Sequence, residues 1–288
     1  MRDEERKKDR SSSLVPRNSS LRAKKSLGQN FLVDERVVGR IADALNPLED
    51  ETIVEIGAGR GALTSRLIER AGRVVAVEFD RDLVPLLHER FGAHENFTLV
   101  EGDALLIDFC AAIAPARSAR VVANLPYNIS TAILQRLIEQ RVCLPELMLM
   151  LQREVVERLT APPASSARGF LSVLVEAYYD AEALFDVAPG AFRPVPKVWS
   201  TVVSLRARSR SSSAAEVSDE VLLWRIVSAG FAQRRKTIFN NLRGAPVELR
   251  SLVETKGGAA RLLEEARIEP SRRAETLALE EWARLARA

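Results

Sequence analysis

The chain has 288 residues, of which 47% are hydrophobic and 28% charged, the balance of a soluble globular protein with one large domain or two. Its net charge is only +3, no apolar run approaches the ~20 residues of a membrane span, and the N-terminus lacks the apolar core of a secretion signal, so membrane-embedded and secreted classes are not expected. Cys110 and Cys143 make neither a disulfide framework nor metal-ligand spacing, and they are expected as free thiols in a reducing cytoplasm.

Residues 1–20 are polar, serine-rich and basic, and are expected to form a disordered tail outside the fold. From residue 52 the pattern alternates. The β-branched and apolar runs TIVEI (52–56), RVVAVEF (73–79), FTLVEGD (97–103), ARVVAN (119–124) and ELMLMLQ (146–152) read as strands buried on both faces. Between them ALTSRLIERA, DLVPLLHERF and STAILQRLIEQ carry apolar residues at i, i+3 and i+4 and read as amphipathic helices. A further helix (LSVLVEAYY) and two strands around ALFDV and VWSTVVSLR follow. The predicted fold class is therefore α/β, a Rossmann-like parallel sheet with helices on both faces spanning 21–207. The serine-rich stretch 208–219 reads as a linker, and 220–288 as a small helical domain. His88 and His94 are expected at the surface, Trp199 and Trp224 in the core.

The first strand runs into EIGAGRGALT, where Gly57, Gly59 and Gly61 occupy a strand-to-helix turn that lets a ligand approach the backbone. A glycine triplet alone is weak evidence. Glu78 ends the second strand, 21 residues after Gly57, where a carboxylate can accept from both ribose hydroxyls of a nucleoside. Asp103 ends the third, where an acid can meet an adenine amine. With Glu55, these acids disfavour a pyrophosphate and suit S-adenosylmethionine, which lacks phosphate and carries a sulfonium. Taken singly, each acid reads more readily as a helix cap or surface charge, and it is their register with the glycines that points to a ligand; an NAD-dependent oxidoreductase is the competing reading of the turn.

The fourth strand ends in NLPYNIS. Adenine's exocyclic amine is a poor nucleophile until fixed acceptors hold its two N–H groups. The Asn124 side-chain oxygen and the Leu125 carbonyl can be those acceptors, Pro126 fixes the turn, and Tyr127 offers a face for an extruded base. Methyl transfer from sulfur to nitrogen then needs positioning and electrostatics rather than an activated Ser or Cys. Two basic clusters, Arg22, Lys24 and Lys25 near the N-terminus and Arg234, Arg235 and Lys236 in FAQRRKTIFNNLR, suggest phosphate contact. The second is read as one face of a helix whose apolar stripe is Phe231, Ile238, Phe239 and Leu242. A merely solvated face is the alternative.

With these motifs in place, the chain resembles the bacterial small-subunit ribosomal RNA adenine dimethyltransferases, the rRNA adenine N6-methyltransferase family of the kasugamycin-sensitivity type. The likeness runs from residue 22 onward: LGQNFL (27–32), VEIGAGRGALT, Glu78, Asp103, NLPYNIS and FRPVPKVWS (192–200), with Ala58 where the family often has proline. The resemblance implies that Asn30 and Leu32 contact the methionine end of the cofactor, with Gly57, Gly59, Glu78, Asp103 and Asn124 completing its site. It implies that Phe192 covers the second face of the flipped base. It further implies S-adenosyl-L-methionine as cofactor, small-subunit rRNA in an immature 30S-type particle as partner, a monomer in the cytoplasm, and no metal or membrane. A large-subunit rRNA adenine methyltransferase, and a non-catalytic assembly or transcription factor on the same fold, are the alternatives.

Overall fold

The computed structural model describes residues 22–208 and 219–288. The expected tail at 1–20, and the expected linker apart from its two end residues, fall outside the described residues.

Nine strands are present among the described residues: β1 (Phe31–Leu32), β2 (Thr52–Ile56), β3 (Arg73–Glu78), β4 (Phe97–Glu101), β5 (Arg120–Asn124), β6 (Glu146–Gln152), β7 (Tyr179–Val187), β8 (Phe192–Arg193) and β9 (Ser200–Ala207). Seven form one sheet in the order β4-β3-β2-β5-β6-β9-β7. The first five are parallel, while β9 runs antiparallel to both β6 and β7. The short pair β1–β8 lies apart, with Leu32 opposite Phe192. The helices are α1 (Glu35–Leu45), α2 (Thr64–Ile68), α3 (Val84–Phe91), α4 (Phe109–Ala112), α5 (Ser130–Glu139), α6 (Arg153–Leu159), α7 (Phe170–Tyr178), α8 (Glu220–Gly230), α9 (Ile238–Arg243), α10 (Val247–Thr255), α11 (Gly258–Glu265) and α12 (Leu279–Arg287).

Strand alternation distributes the core over the two faces of the sheet. Val54, Val75, Val121, Leu147 and Leu149 pack against Ile133, Leu134 and Leu137 of α5 and Leu171 and Leu174 of α7. Their neighbours Ile53, Val74, Val122 and Met148 face the other way, onto Val38, Ile41 and Leu45 of α1, Leu67 of α2 and Leu87 and Phe91 of α3. Local signals set the helix ends. Asp34 caps α1 by accepting from the N–H of Arg36 at 2.9 Å, and Asp219 caps α8 by accepting from Leu222 at 2.8 Å.

The C-terminal helices bury their own cluster around Trp282, and Val173 and Ala177 of α7 belong to it as well. One helix thus serves both cores. Arg141–Glu220 at 2.7 Å, and the Ala164 N–H donating to the Glu275 carbonyl at 2.8 Å, add polar ties between the sheet and the helices.

Three expectations are corrected here. Cys110 and Cys143 are not free thiols. They are joined in a disulfide with Cα atoms 5.7 Å apart, because the start of α4 and the turn after α5 are neighbours although 33 residues separate them. The basic run 231–243 is not one helix. Residues after α8 turn until Thr237 caps α9, accepting from Asn240 N–H at 3.3 Å, and the Asn241 amide holds that turn by donating to the carbonyls of Gly230 and Gln233. Trp199 is not in the core, being 46% exposed. Trp224 is half-buried between the core on the α5 and α7 face of the sheet and the C-terminal helical cluster, and His88 and His94 are exposed.

Candidate active site

Parallel strands leave their carboxyl ends at one edge, and the strand order reverses between β2 and β5, which opens a crevice there. A cavity of about 290 Å³ occupies this position. Asn30, Phe31, Gly57, Gly59, Glu78, Phe79, Asp103, and Asn124 to Tyr127 line it.

The glycine turn is held in place by backbone bonds. The Gly57 N–H donates to the Val77 carbonyl at 2.8 Å, and the Gly59 N–H donates to Glu78 Oε2 at 2.8 Å. Gly59 has φ +59°, and a Cβ there would sit 3.3 Å from the Phe31 ring. Gly61, at φ +76°, would place a Cβ 2.3 Å from Phe91. The second Glu78 oxygen accepts from the Asp80 N–H at 2.8 Å. Burial pushes the Glu78 carboxyl above the usual range even against these amide donors.

Asp103 accepts from the Leu105 N–H at 2.9 Å and is half-buried at the cavity wall. At the end of β5, Asn124 Nδ2 donates to the Asn30 carbonyl at 3.1 Å, which leaves Oδ1 as the amide's acceptor. The Leu125 side chain is buried in the core. Pro126 starts a turn closed by the Ile129 N–H on its carbonyl at 3.2 Å. The Tyr127 hydroxyl and Ser200 Oγ lie 2.7 Å apart, and burial pushes the phenol above its ordinary pKa, so Tyr127 stays neutral.

Several predicted residues fall elsewhere. Phe192 is fully buried in the core beneath α1, so its ring has no face to offer a base. The reason is register: β8 pairs with β1, placing Phe192 opposite Leu32, and both side chains join the core. Leu32 accordingly borders only a side cavity of about 50 Å³ and not the main one. Glu55 adds no charge to the main cavity. It is buried, accepts from the Thr64 hydroxyl at 2.6 Å, and burial pushes its pKa up to about 8.

Lys24, read from sequence as a phosphate contact, is paired within the protein. Its ammonium pairs with Asp80 and, at 2.6 Å, with Asp82. Gln29 bonds the other Asp80 oxygen at 2.7 Å and accepts from the Lys24 N–H at 2.8 Å. Burial raises the Asp80 pKa, but Lys24 and Gln29 outweigh it and hold the carboxyl low. These bonds strap residues 24–30 along the cavity rim. Arg22 and Lys25 are exposed, as are Arg234, Arg235 and Lys236 on the α8–α9 turn, where Arg234 also donates to the Ser166 carbonyl.

Phe31 and Phe79 were not picked out from sequence although both line the cavity. Phe31 lies inside LGQNFL, with the Arg60 guanidinium 4.5 Å from its ring centroid, and Phe79 directly follows the acid that ends β3. Those positions were the available signals.

The seven-stranded order, with one antiparallel strand inserted beside the edge, and the cavity at the carboxyl ends of the parallel strands define a class I methyltransferase. A dimethyladenosine transferase of Plasmodium falciparum shares the fold, with a TM-score of 0.74 at 21% identity over 88% of this chain and 95% of that one. The ribosomal RNA small subunit methyltransferase A of Geobacter sulfurreducens is 44% identical over 93% of this chain and 96% of its own length. That of Aromatoleum aromaticum is 48% identical over 78% and 83%. Residues 20–285 match the model of the ribosomal RNA adenine dimethylase family, and the chain belongs to that family.

Proposed function

We propose that this chain uses S-adenosylmethionine to dimethylate the exocyclic amines of two adjacent adenines near the 3′ end of small-subunit (16S) rRNA, acting in the cytoplasm as a monomer on an immature small subunit. The observation that carries the reading is that Asn124, its amide oriented by the Asn30 carbonyl, borders the same cavity as Glu78 and Asp103. A nucleoside cofactor and an amine acceptor therefore meet in one hollow.

The residues present fit this cofactor. The described residues lining the cavity include two carboxylates and no Lys, Arg or His, which suits a sulfonium and disfavours the pyrophosphate of a dinucleotide. Glu78 would hold the ribose hydroxyls, Asp103 the adenine amine, and Asn30 the methionine end. When bound, the cofactor supplies an electrophilic methyl group. Asn124 Oδ1 and the Leu125 carbonyl accept the two N–H bonds of the target amine and turn its lone pair toward that methyl, while Tyr127 stacks on the base. The 220–288 helices, with the exposed Arg234, Arg235 and Lys236, form the RNA-gripping domain in this reading.

Incubation with labelled cofactor and either immature small subunits or large subunits, followed by mapping of the modified base, tests the proposal. Label on two neighbouring small-subunit adenines is expected. Label confined to large subunits, or none, overturns it.

A further inference from the structure

The segment Arg193–Trp199 (RPVPKVW) runs over the surface between two buried anchors, Phe192 and Ser200. Apart from the half-buried Pro196, all of its residues are exposed. It carries Arg193 and Lys197 and no acid. Trp199 is the most exposed of the three tryptophans, since Trp224 is half-buried and Trp282 fully buried. An exposed indole offers a broad, rigid aromatic face on which a partner can pack.

Its surroundings indicate which partner. Ser200, the next residue, bonds the Tyr127 hydroxyl at 2.7 Å, so the indole is one residue from the contact that holds the target-base platform. The Arg153 N–H donates to the Trp199 carbonyl at 3.0 Å, and the Arg153 guanidinium lies 5.9 Å from the ring centroid. Arg153 is itself half-exposed, with Glu157 at 3.7 Å and Asp186 at 3.6 Å. An exposed ring with Arg153 beside it, and with Lys197 and Arg193 on the same exposed segment, the latter donating to the Gly190 and Phe192 carbonyls, combines a stacking face with positive charge, the recognition chemistry of unpaired nucleic acid.

We propose that Trp199 stacks on an unpaired nucleotide flanking the target adenine, with Arg153, Arg193 and Lys197 meeting the neighbouring phosphates. This rests on the rRNA reading above. The ring would hold the strand open beside the extruded base, and so set how the RNA is presented without touching the cofactor.

Two measurements test it. Titration of the protein with a short single-stranded oligoribonucleotide containing two adjacent adenines should quench the intrinsic fluorescence of the wild type. In Trp199→Phe the quench should be absent while binding is kept. In steady-state methylation of small subunits, Trp199→Ala should raise KM for the RNA about ten-fold or more, the scale of one lost base stack. Its kcat, cofactor affinity and melting temperature should be unchanged, and Trp199→Phe should recover most of the loss. A quench of equal size in Trp199→Phe, or an RNA KM within two-fold of wild type in Trp199→Ala, overturns the proposal. If the wild type methylates no RNA, the functional reading fails, and the quench alone decides whether the indole meets nucleic acid.

Discussion

Asn124 Nδ2 donates to the main-chain carbonyl of Asn30 at 3.1 Å, joining the end of β5 to a segment 94 residues earlier. The bond decides which way the amide faces. With an N–H engaged by that carbonyl, Oδ1 is left as the group's acceptor, and an acceptor is what a target amine requires.

Replacing Asn124 with Ala removes that acceptor. Methyl transfer should fall roughly 10²–10³-fold, the scale of one lost preorganised hydrogen-bonding group, while cofactor affinity stays within a few-fold. Single-turnover rates measured alongside cofactor titration check both. Near-normal turnover would count against the amine clamp.

Glu78→Ala acts on the other side of the cavity. It removes the proposed ribose acceptor and also the anchor for the Gly59 N–H. Cofactor affinity should weaken by about one to two orders of magnitude. Calorimetric titration would show this, and an unchanged dissociation constant would end the ribose assignment.

Lys24 was expected to grip RNA, and its pairing with Asp80 and Asp82 leads to a different outcome. Lys24→Ala should loosen residues 24–30 and lower cofactor affinity, leaving the salt dependence of RNA binding as in the wild type. A shallower salt slope with normal cofactor binding would restore the original assignment.

The exposed α8–α9 turn should behave in the opposite way. Replacing Arg234, Arg235 and Lys236 with Gln should make the slope of log K against log salt shallower by about 2, if all three meet phosphates of single-stranded RNA. Filter binding between low and moderate salt measures it. An unchanged slope would place the turn outside the interface.

Glu55 predicts a pH effect on stability. Its carboxyl ionises near 4.5 when exposed and is pushed up to about 8 in the folded protein. Between those values the folded state binds more protons than the unfolded chain, so stability declines as pH rises through this window and levels off above it. Glu55→Gln keeps an acceptor for Thr64 and removes the ionisation. Its melting temperature should exceed that of the wild type at pH 8 and lose this component of the pH slope, as thermal melts across pH 5–9 would show.

The order of strands and helices was legible because parallel strands buried on both faces leave continuous β-branched runs such as TIVEI and RVVAVE, while α5 and α8 carry a helical apolar period. The line-up of Gly57, Gly59, Glu78, Asp103 and Asn124 was legible for the same reason. Each sits at or just beyond the carboxyl end of a strand, and parallel strands bring those ends to one edge. Side-chain direction was not legible wherever it depends on pairing between distant segments. Phe192 is turned into the core by its register with Leu32, and Lys24 is captured by acids more than fifty residues away. Cys110 meets Cys143 only because the start of α4 meets the turn after α5, and Trp199 is left outside because the buried Phe192 and Ser200 anchor the ends of the segment that carries it. Local sequence sets the period of burial along an element. The phase of that period, and the partner each polar head finds, are set when elements far apart in the chain are brought together.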